Sequence, residues 1–298
     1  MSVSAAGSAP QRLRALLAGD DVVHLPGVYD AVTARLAVRA GAQAACLSGA
    51  VASAVGLGLP DLGFVHGSQI ADRARQVVPS LDGVPLLADA DTGYGNALQA
   101  RRTVLDYAAA GIAGLHLEDQ VSPKRCGHMS GKAVVDPAEA ASRVRAVVEA
   151  GSDLVVVART DALSVEGVDS VIERARAFVE VGADAVFVEG AGLADLARVR
   201  AALGEGVPFL ANRSEAGGAV SDGPSDAEYA ALGVRLVIHP VSAMLAAAAA
   251  VKDVYSTIMR DGHAGTTPRM SWDELTELLG LGDQLSLEQR YAEAVSAP

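Results

Sequence analysis

The sequence predicts an α/β fold, a (β/α)8 barrel, and three observations carry that prediction. Eight short apolar, β-branched runs recur along the 298 residues. Between most of them lie stretches with apolar residues at helical spacing. Several of those stretches stop just before a glycine, at Ala40–Gly41, Ala110–Gly111, Ala150–Gly151 and Val181–Gly182. Each such glycine fits a left-handed helix cap that opens onto the next strand. Alternating β and α units with fully apolar strands imply a parallel sheet covered by helices. Eight such units close a barrel; an open doubly wound sheet is the competing arrangement.

The strands are expected at Val22–Leu25, Ala44–Leu47, Pro85–Ala88, Gly114–Leu117, Leu154–Ala158, Ala185–Val188, Pro208–Ala211 and Leu236–Ile238. Helices are expected at Ala97–Ala110, Pro137–Ala150, Val168–Val181 and Leu193–Leu203. Past the last strand, Gly262–Pro298 reads as a partly helical tail, with helices at Ser271–Leu279 and Ser286–Val295. Ser271 and Glu274 form the S-x-x-E pattern of a capping box. Leu275, Leu278, Leu279 and Leu281 give the tail an apolar stripe to pack on its own barrel or on a neighbouring subunit. The expected organisation is a single TIM-type barrel domain over residues 1–298, with 262–298 as its C-terminal helical extension.

Composition narrows the function classes. Half the residues are hydrophobic and 20% are charged, which excludes intrinsic disorder. Lys and Arg total 24 against 36 Asp and Glu, a net charge of −12. An acidic surface argues against nucleic acid and anionic membrane as partners. The longest apolar run, Ala243–Val251, falls well short of the ~18 residues of a membrane span. Two cysteines, Cys46 and Cys126, are too few for a disulfide framework, and the first residues lack a signal peptide's apolar stretch. The expected compartment is the cytoplasm.

In such barrels the chemistry sits at the C-terminal strand ends. There the sequence places Ser48-Gly49, Asp89-Ala90-Asp91, Glu118-Asp119, Arg159-Thr160-Asp161, Glu189, Asn212-Arg213 and His239. Six carboxylates at one mouth repel one another, so a cation neutralises them or some point away. Positions i and i+2 share a strand face, which aims Asp89 and Asp91 at one point. With Glu118 they form a hard oxygen set suited to Mg²⁺ or Mn²⁺; the plainer reading is that they cap turns. Lys124-Arg125-Cys126-Gly127-His128 lies in a glycine-containing loop from Gln120 to about Val135 that reads as a lid. Its cationic neighbours are expected to lower the Cys126 pKa, unless the loop is only a solvated basic turn. Arg159, with Glu189 and Asn212 on later strands, reads as a carboxylate clamp or as an ion pair with Asp161 or Glu189. Cys46 and His116 read as core residues, and His66 and His263 as solvated loop residues.

The run LHLEDQVSPKRCGH (Leu115–His128), preceded by LSGA and GLGLPDLG within Leu47–Gly63 and by DADTGYGN (Asp89–Asn96), and followed by ARTDAL (Ala158–Leu163), resembles the isocitrate lyase/phosphoenolpyruvate mutase superfamily. The likeness is strongest to its short bacterial members of the 2-methylisocitrate lyase, dimethylmalate lyase and carboxyphosphonoenolpyruvate mutase kinds. The resemblance implies a Mg²⁺-dependent carbon–carbon lyase acting on a small anionic 2-hydroxy di- or tricarboxylate. Competing activities are a P–C mutase, a 2-oxo acid hydrolase or decarboxylase, or a catalytically silent barrel. It implies that Asp89, Asp91 and Glu118 hold Mg²⁺, partly through water. Ser48, Gly49 and Ala50 would bind a substrate carboxylate, Arg159 would bind substrate, and Glu189, Asn212, Gly127 and His128 would line the pocket. Cys126 would be the general acid on a gating loop. The resemblance further implies a homotetramer, a dimer of dimers whose subunits exchange their last helix. The chain departs from the methylisocitrate lyases at Cys46, where they carry tyrosine, and at Leu245, where they carry arginine. The departures predict a smaller or less charged substrate, with an apolar group near Leu245 and Arg213 as the residue to compensate.

Overall fold

The computed structural model describes residues 7–217 and 223–296. Its strands are β1 (Val23–Pro26), β2 (Ala45–Leu47), β3 (Leu86–Asp89), β4 (Gly114–Glu118), β5 (Val155–Thr160), β6 (Ala185–Val188), β7 (Phe209–Asn212) and β8 (Val234–His239). Every expected strand is present, with ends within two residues of the apolar run that predicted it. Five of them extend past the run into polar residues, because backbone pairing continues at the mouth whatever the side chain. All pairs are parallel, in the order β1-β8-β7-β6-β5-β4-β3-β2. A parallel bridge between Gly27 and Cys46 joins the two ends of that order. The sheet is therefore a nearly closed (β/α)8 barrel, not an open doubly wound sheet.

The intervening helices run Ala97–Ala109, Pro137–Val148, Val168–Glu180 and Leu193–Leu203. The capping glycines at 41, 111, 151 and 182 all have φ between 76° and 98°, the left-handed region that stops each helix. Side chains alternate across the strands, so burial falls into two layers. Leu25, Cys46, Leu87, Val157, Phe187 and Leu236 fill the barrel interior. Leu86, Leu115, Val156, Val186, Phe209 and Val237 face the helices. Each such fully buried residue contributes ~1.5–3 kcal/mol of hydrophobic free energy. The helix Ala9–Ala18, capped by Ser8, sends Leu13 and Leu17 into the inner layer. A Cβ on Gly114 would lie 2.8 Å from Leu13, so glycine is required at the start of β4.

The chain divides into two compact units, Met1–Met244 and Leu245–Pro298. The first holds all eight strands. The second holds most of the helix Ser242–Asp261 and the helices Trp272–Leu278 and Leu281–Ser296. Ser271 caps Trp272–Leu278 by accepting a hydrogen bond from the Glu274 amide. Among the described residues, no helix is long and apolar enough to cross a membrane.

Candidate active site

In six of the strands the inward row runs from the barrel interior to a polar end. Cys46 leads to Ser48, Leu87 to Asp89, His116 to Glu118, Val157 to Arg159, Phe187 to Glu189 and Leu210 to Asn212. Register then sets Asp89 beside His116 and Glu118 beside Arg159. Ser48, Ala50, Asp89, Arg159, Glu189 and Asn212 line a cavity, together with Cys126, Gly127 and His128 of the loop. Asp91 and Glu118 are each 3% exposed and lie outside the lining, in contact with Lys124 and Arg159, which both belong to it.

Asp89 accepts hydrogen bonds from the Gly49 amide (3.0 Å) and the Asp91 amide (3.2 Å), and its carbonyl accepts one from the Tyr107 hydroxyl. Burial pushes its carboxyl up, but His116, Lys124 and Arg159 outweigh burial and hold it at about 2. Asp91 does not reach the site by strand alternation as expected. β3 ends at Asp89, and Asp91 turns with φ +44°. A non-glycine residue there carries strain of ~1–3 kcal/mol, the kind that collects at functional sites. The turn still brings both carboxylates to Gly49, where a Cβ would lie 3.0 Å from Asp89 Oδ2 and 3.3 Å from Asp91 Oδ1. Burial raises Asp91 to about 7, against the opposing charge of Lys124. Burial also raises Glu118 well above the usual carboxylate range, against Arg159. Glu118 Oε1 has no hydrogen-bond partner, and Oε2 has only Arg159 Nε at 3.4 Å, out of alignment.

The loop covers the mouth through several anchors. Lys124 Nζ lies 2.6 Å from Asp61 and 3.0 Å from Asp91. Gln120 exchanges two 2.9 Å hydrogen bonds with the Arg125 backbone, and the Cys126 amide donates to the Asp61 carbonyl. A Cβ on Gly127 would lie 2.5 Å from Arg159 and 2.7 Å from Glu189, so only glycine passes over that pair. The Cys126 pKa is raised, not lowered as its basic neighbours predicted. Burial dominates, and Lys124 is committed to two carboxylates instead of the thiol. Cys126 therefore stays a protonated thiol, 4.0 Å from His128 Nδ1, and His128 Nε2 is 3.7 Å from Glu189.

Both sequence readings of Arg159 meet in one geometry. Its guanidinium donates to both oxygens of Asp161 (2.9 and 3.1 Å), lies 3.3 Å from Glu189, and still faces the cavity. Of the six mouth carboxylates, Asp119 turns away, accepting from the Thr160 hydroxyl, the Asp161 amide and Arg174. Asn212 Nδ2 approaches Glu189 at 3.5 Å.

Arg213 does not supply a second carboxylate clamp. It donates to the Pro224 carbonyl, stacks 5.7 Å from the Tyr229 ring, and is absent from the lining. Leu245 is 44% exposed and opens the second compact unit. Cys46 is core-packed as read, its thiol raised by burial to about 12, yet it borders the cavity floor with Leu47. His66 and His263 are exposed, as expected. Sequence reasoning missed Asp61, Ser214 and the lining role of His116. His116 was detectable, since it shares an inward row with Glu118.

The residues fit a hydrated divalent ion. The donors are carboxylate oxygens, and two of the three groups are under-paired. Among the described residues no three His, Cys, Asp or Glu side chains converge closely enough to hold an ion by themselves. Water would complete the shell, as Mg²⁺ ordinarily requires.

A parallel eight-stranded barrel whose C-terminal mouth gathers buried carboxylates, a guanidinium and a thiol under one loop defines a barrel enzyme. The chain matches the phosphoenolpyruvate phosphomutase family over residues 13–259. It is 37% identical to the 2-methylisocitrate lyase of Bacillus subtilis (strain 168), over 95% of this chain and 93% of that one. It is 37% identical to the 2,3-dimethylmalate lyase of Eubacterium barkeri, over 94% of this chain and 97% of that one. A solved structure of oxaloacetate acetylhydrolase with 3,3-difluorooxalacetate superposes with a TM-score of 0.87 at 37% identity, covering 96% of this chain and 97% of that one. One of phosphonopyruvate hydrolase with oxalate and Mg²⁺ superposes at 0.83 and 27% identity, covering 96% and 100%. The chain belongs to the isocitrate lyase/phosphoenolpyruvate mutase superfamily and is an enzyme of it.

Proposed function

We propose that the enzyme is a Mg²⁺-dependent carbon–carbon lyase, with Mn²⁺ as the alternative ion. Its substrate is a 2-hydroxy di- or tricarboxylate of the 2-methylisocitrate or dimethylmalate kind. The products are a 2-oxo acid such as pyruvate and a second carboxylate. The observation that carries this reading is a thiol, Cys126, on the lining of a cavity that Asp89 also lines, with the under-paired carboxylates Asp91 and Glu118 buried behind it. Those carboxylates would hold the ion, which when bound neutralises charge on the substrate's 2-oxygen and adjacent carboxylate. Arg159 offers its guanidinium to a substrate carboxylate. Ser48, which makes no capping bond, and the first turn of the helix Gly49–Leu57 offer a hydroxyl and the positive end of a helix dipole to another. Glu189, Asn212, Gly127 and His128 shape the remaining wall. Once the hydroxyl proton is lost, its electron pair forms the carbonyl as the adjacent C–C bond breaks. The departing carbon carries the bonding pair as an enolate-like carboxylate, and Cys126 Sγ donates a proton to it. Ala216, Ile238, Pro240 and Val241 add an apolar side that accommodates an alkyl substituent.

The test is a product assay with 2-methylisocitrate, 2,3-dimethylmalate, oxaloacetate and phosphonopyruvate. Pyruvate released from a hydroxy acid, abolished by EDTA and restored by Mg²⁺, is the expected result. A hydrolase reading has the likeness to oxaloacetate acetylhydrolase in its favour. Oxalate and acetate from oxaloacetate, with no pyruvate from either hydroxy acid, would establish it instead. Full turnover by demonstrably metal-free protein would overturn the metal assignment.

The same reading makes the enzyme a cytoplasmic homo-oligomer that exchanges its terminal helix. The second unit supports this. The 20-residue helix Ser242–Asp261 has no buried residue, and Tyr255, Met259, Trp272, Leu285 and Tyr291 are more than half exposed. A helix with so little packing needs a tertiary or subunit partner to persist in water. Analytical ultracentrifugation should give a tetramer, and a monomer would refute the exchange.

A further inference from the structure

Lys132, at the far end of the loop, has no part in the chemistry proposed above, yet its ammonium is nearly as buried as the site itself. Its side chain is 5% exposed. Nζ donates to the Gly127 carbonyl at 2.6 Å and to Asp161 Oδ1 at 3.0 Å. That oxygen also accepts from Arg159 Nη2, while Asp161 Oδ2 accepts from Arg159 Nε. Asp161 in turn is fixed through its amide, which donates to Asp119, itself bonded to Thr160 and Arg174. One carboxylate thus grips the cavity guanidinium and, through Lys132, the Gly127–His128 peptide. The base of the loop is pinned separately, by a bridge between Gln120 and Val134 and by the Val121 amide on the Ala133 carbonyl. Lys132 therefore acts on the Cys126–Gly127 segment and not on the loop's attachment.

We propose that Lys132 is a positioning residue, a latch that fastens the Cys126-Gly127-His128 segment over Arg159 through Asp161. The latch couples two events. The segment seats only where Asp161 already orients the guanidinium, so the thiol is delivered to a cavity whose clamp is set. Seating also adds a third donor to Asp161, which keeps that carboxylate ionised and its hold on Arg159 intact. A methionine at this position fills a similar volume but cannot donate to either oxygen. An arginine can donate to both. The catalytic consequence rests on the lyase reading, in which Cys126 is the proton donor; the mechanical one does not.

The experiment measures alkylation of Cys126 by iodoacetamide, read by mass spectrometry of its peptide, in the wild type, Lys132→Met and Lys132→Arg. Buried Cys46 in the same chain is the internal reference for unfolding. Loss of a charge-assisted hydrogen bond should speed Cys126 labelling roughly tenfold or more in Lys132→Met, with Cys46 still protected and Lys132→Arg near wild type. Unchanged labelling in Lys132→Met would overturn the latch, and so would labelling of Cys46 in step with Cys126. Equal defects in the Met and Arg variants would overturn it as well. Labelling reads the latch whether or not the protein cleaves a hydroxy acid. Faster labelling in a protein with no lyase activity would therefore keep the latch and reject only the lyase reading. With activity present, kcat should fall in Lys132→Met more than KM rises.

Discussion

Two walls of one mouth, built from neighbouring strands, treat charge in opposite ways. Around β5, every ionised group is matched. Arg159 and Lys132 share Asp161, and Arg174 joins Asp119 to the Val135 carbonyl, to Ser170 and to Glu166. Around β3 and β4, Glu118 lacks a partner for one oxygen, and His116 Nδ1 and Asp91 Oδ1 have charged neighbours without an aligned hydrogen bond. Buried polar groups are normally satisfied, and an unsatisfied one calls for an explanation. Burial is similar on both walls, so burial does not explain the difference. The matched wall is a scaffold that fixes one guanidinium, and the unmatched wall is short of positive charge that substrate or cation would bring.

That contrast predicts that changes on the unmatched side and at the thiol cost activity, whereas changes on the matched side cost stability. The largest effect is expected at the thiol. Cys126→Ser should lose about 10²–10⁴-fold in kcat, with its melting temperature unchanged. Cys46→Ser should lose far less, and equal losses from the two would mean that the thiols serve folding. Arg174→Met comes next, since removing one partner of a buried pair costs ~3–5 kcal/mol. Urea denaturation should register that loss, and a variant as stable as wild type would break the comparison.

The pH dependence of the metal-free protein sharpens it further. Asp91 is held at about 7 in the folded state, so the fold retains a proton that the unfolded chain has released. Its contribution to stability therefore falls as pH rises from the ordinary carboxylate range to about 7 and is flat beyond. Asp89, held at about 2, contributes stability above the ordinary range that is lost as pH falls toward 2. Between pH 5 and pH 8, wild type should lose urea stability relative to Asp91→Asn, and parallel behaviour of the two would contradict the assignment. The smallest effect on stability belongs to Glu118→Gln. Glutamine replaces an already under-paired acid, so stability should change by less than ~1 kcal/mol while activity is lost. A variant as unstable as Arg174→Met would place Glu118 with the scaffold.

The barrel was legible because its signals are local. Apolar runs, helical spacing and left-handed glycines each occupy a few residues, and all agreed. The polar strand ends were legible for the same reason, since alternation from Val157 to Arg159 or from Leu87 to Asp89 needs no tertiary knowledge. What depended on distant neighbours was not. Burial reversed the expected direction for the thiol, and Lys124, two residues from Cys126 in sequence, spends its charge on Asp61 and Asp91 and does not offset it. Asp91 reaches the site by a left-handed turn that alternation cannot describe. Arg213 follows a strand end like Arg159, yet a carbonyl and an aromatic ring hold it off the cavity.

The central claim is that the under-paired carboxylates around β3 and β4 receive a divalent cation. Isothermal titration of Mg²⁺ into metal-free protein tests it directly, with Asp91→Asn and Arg174→Lys alongside. One ion should bind per chain in wild type and in Arg174→Lys, and binding should be lost in Asp91→Asn. Mg²⁺ binding that is absent from wild type, or unchanged in Asp91→Asn, would contradict it.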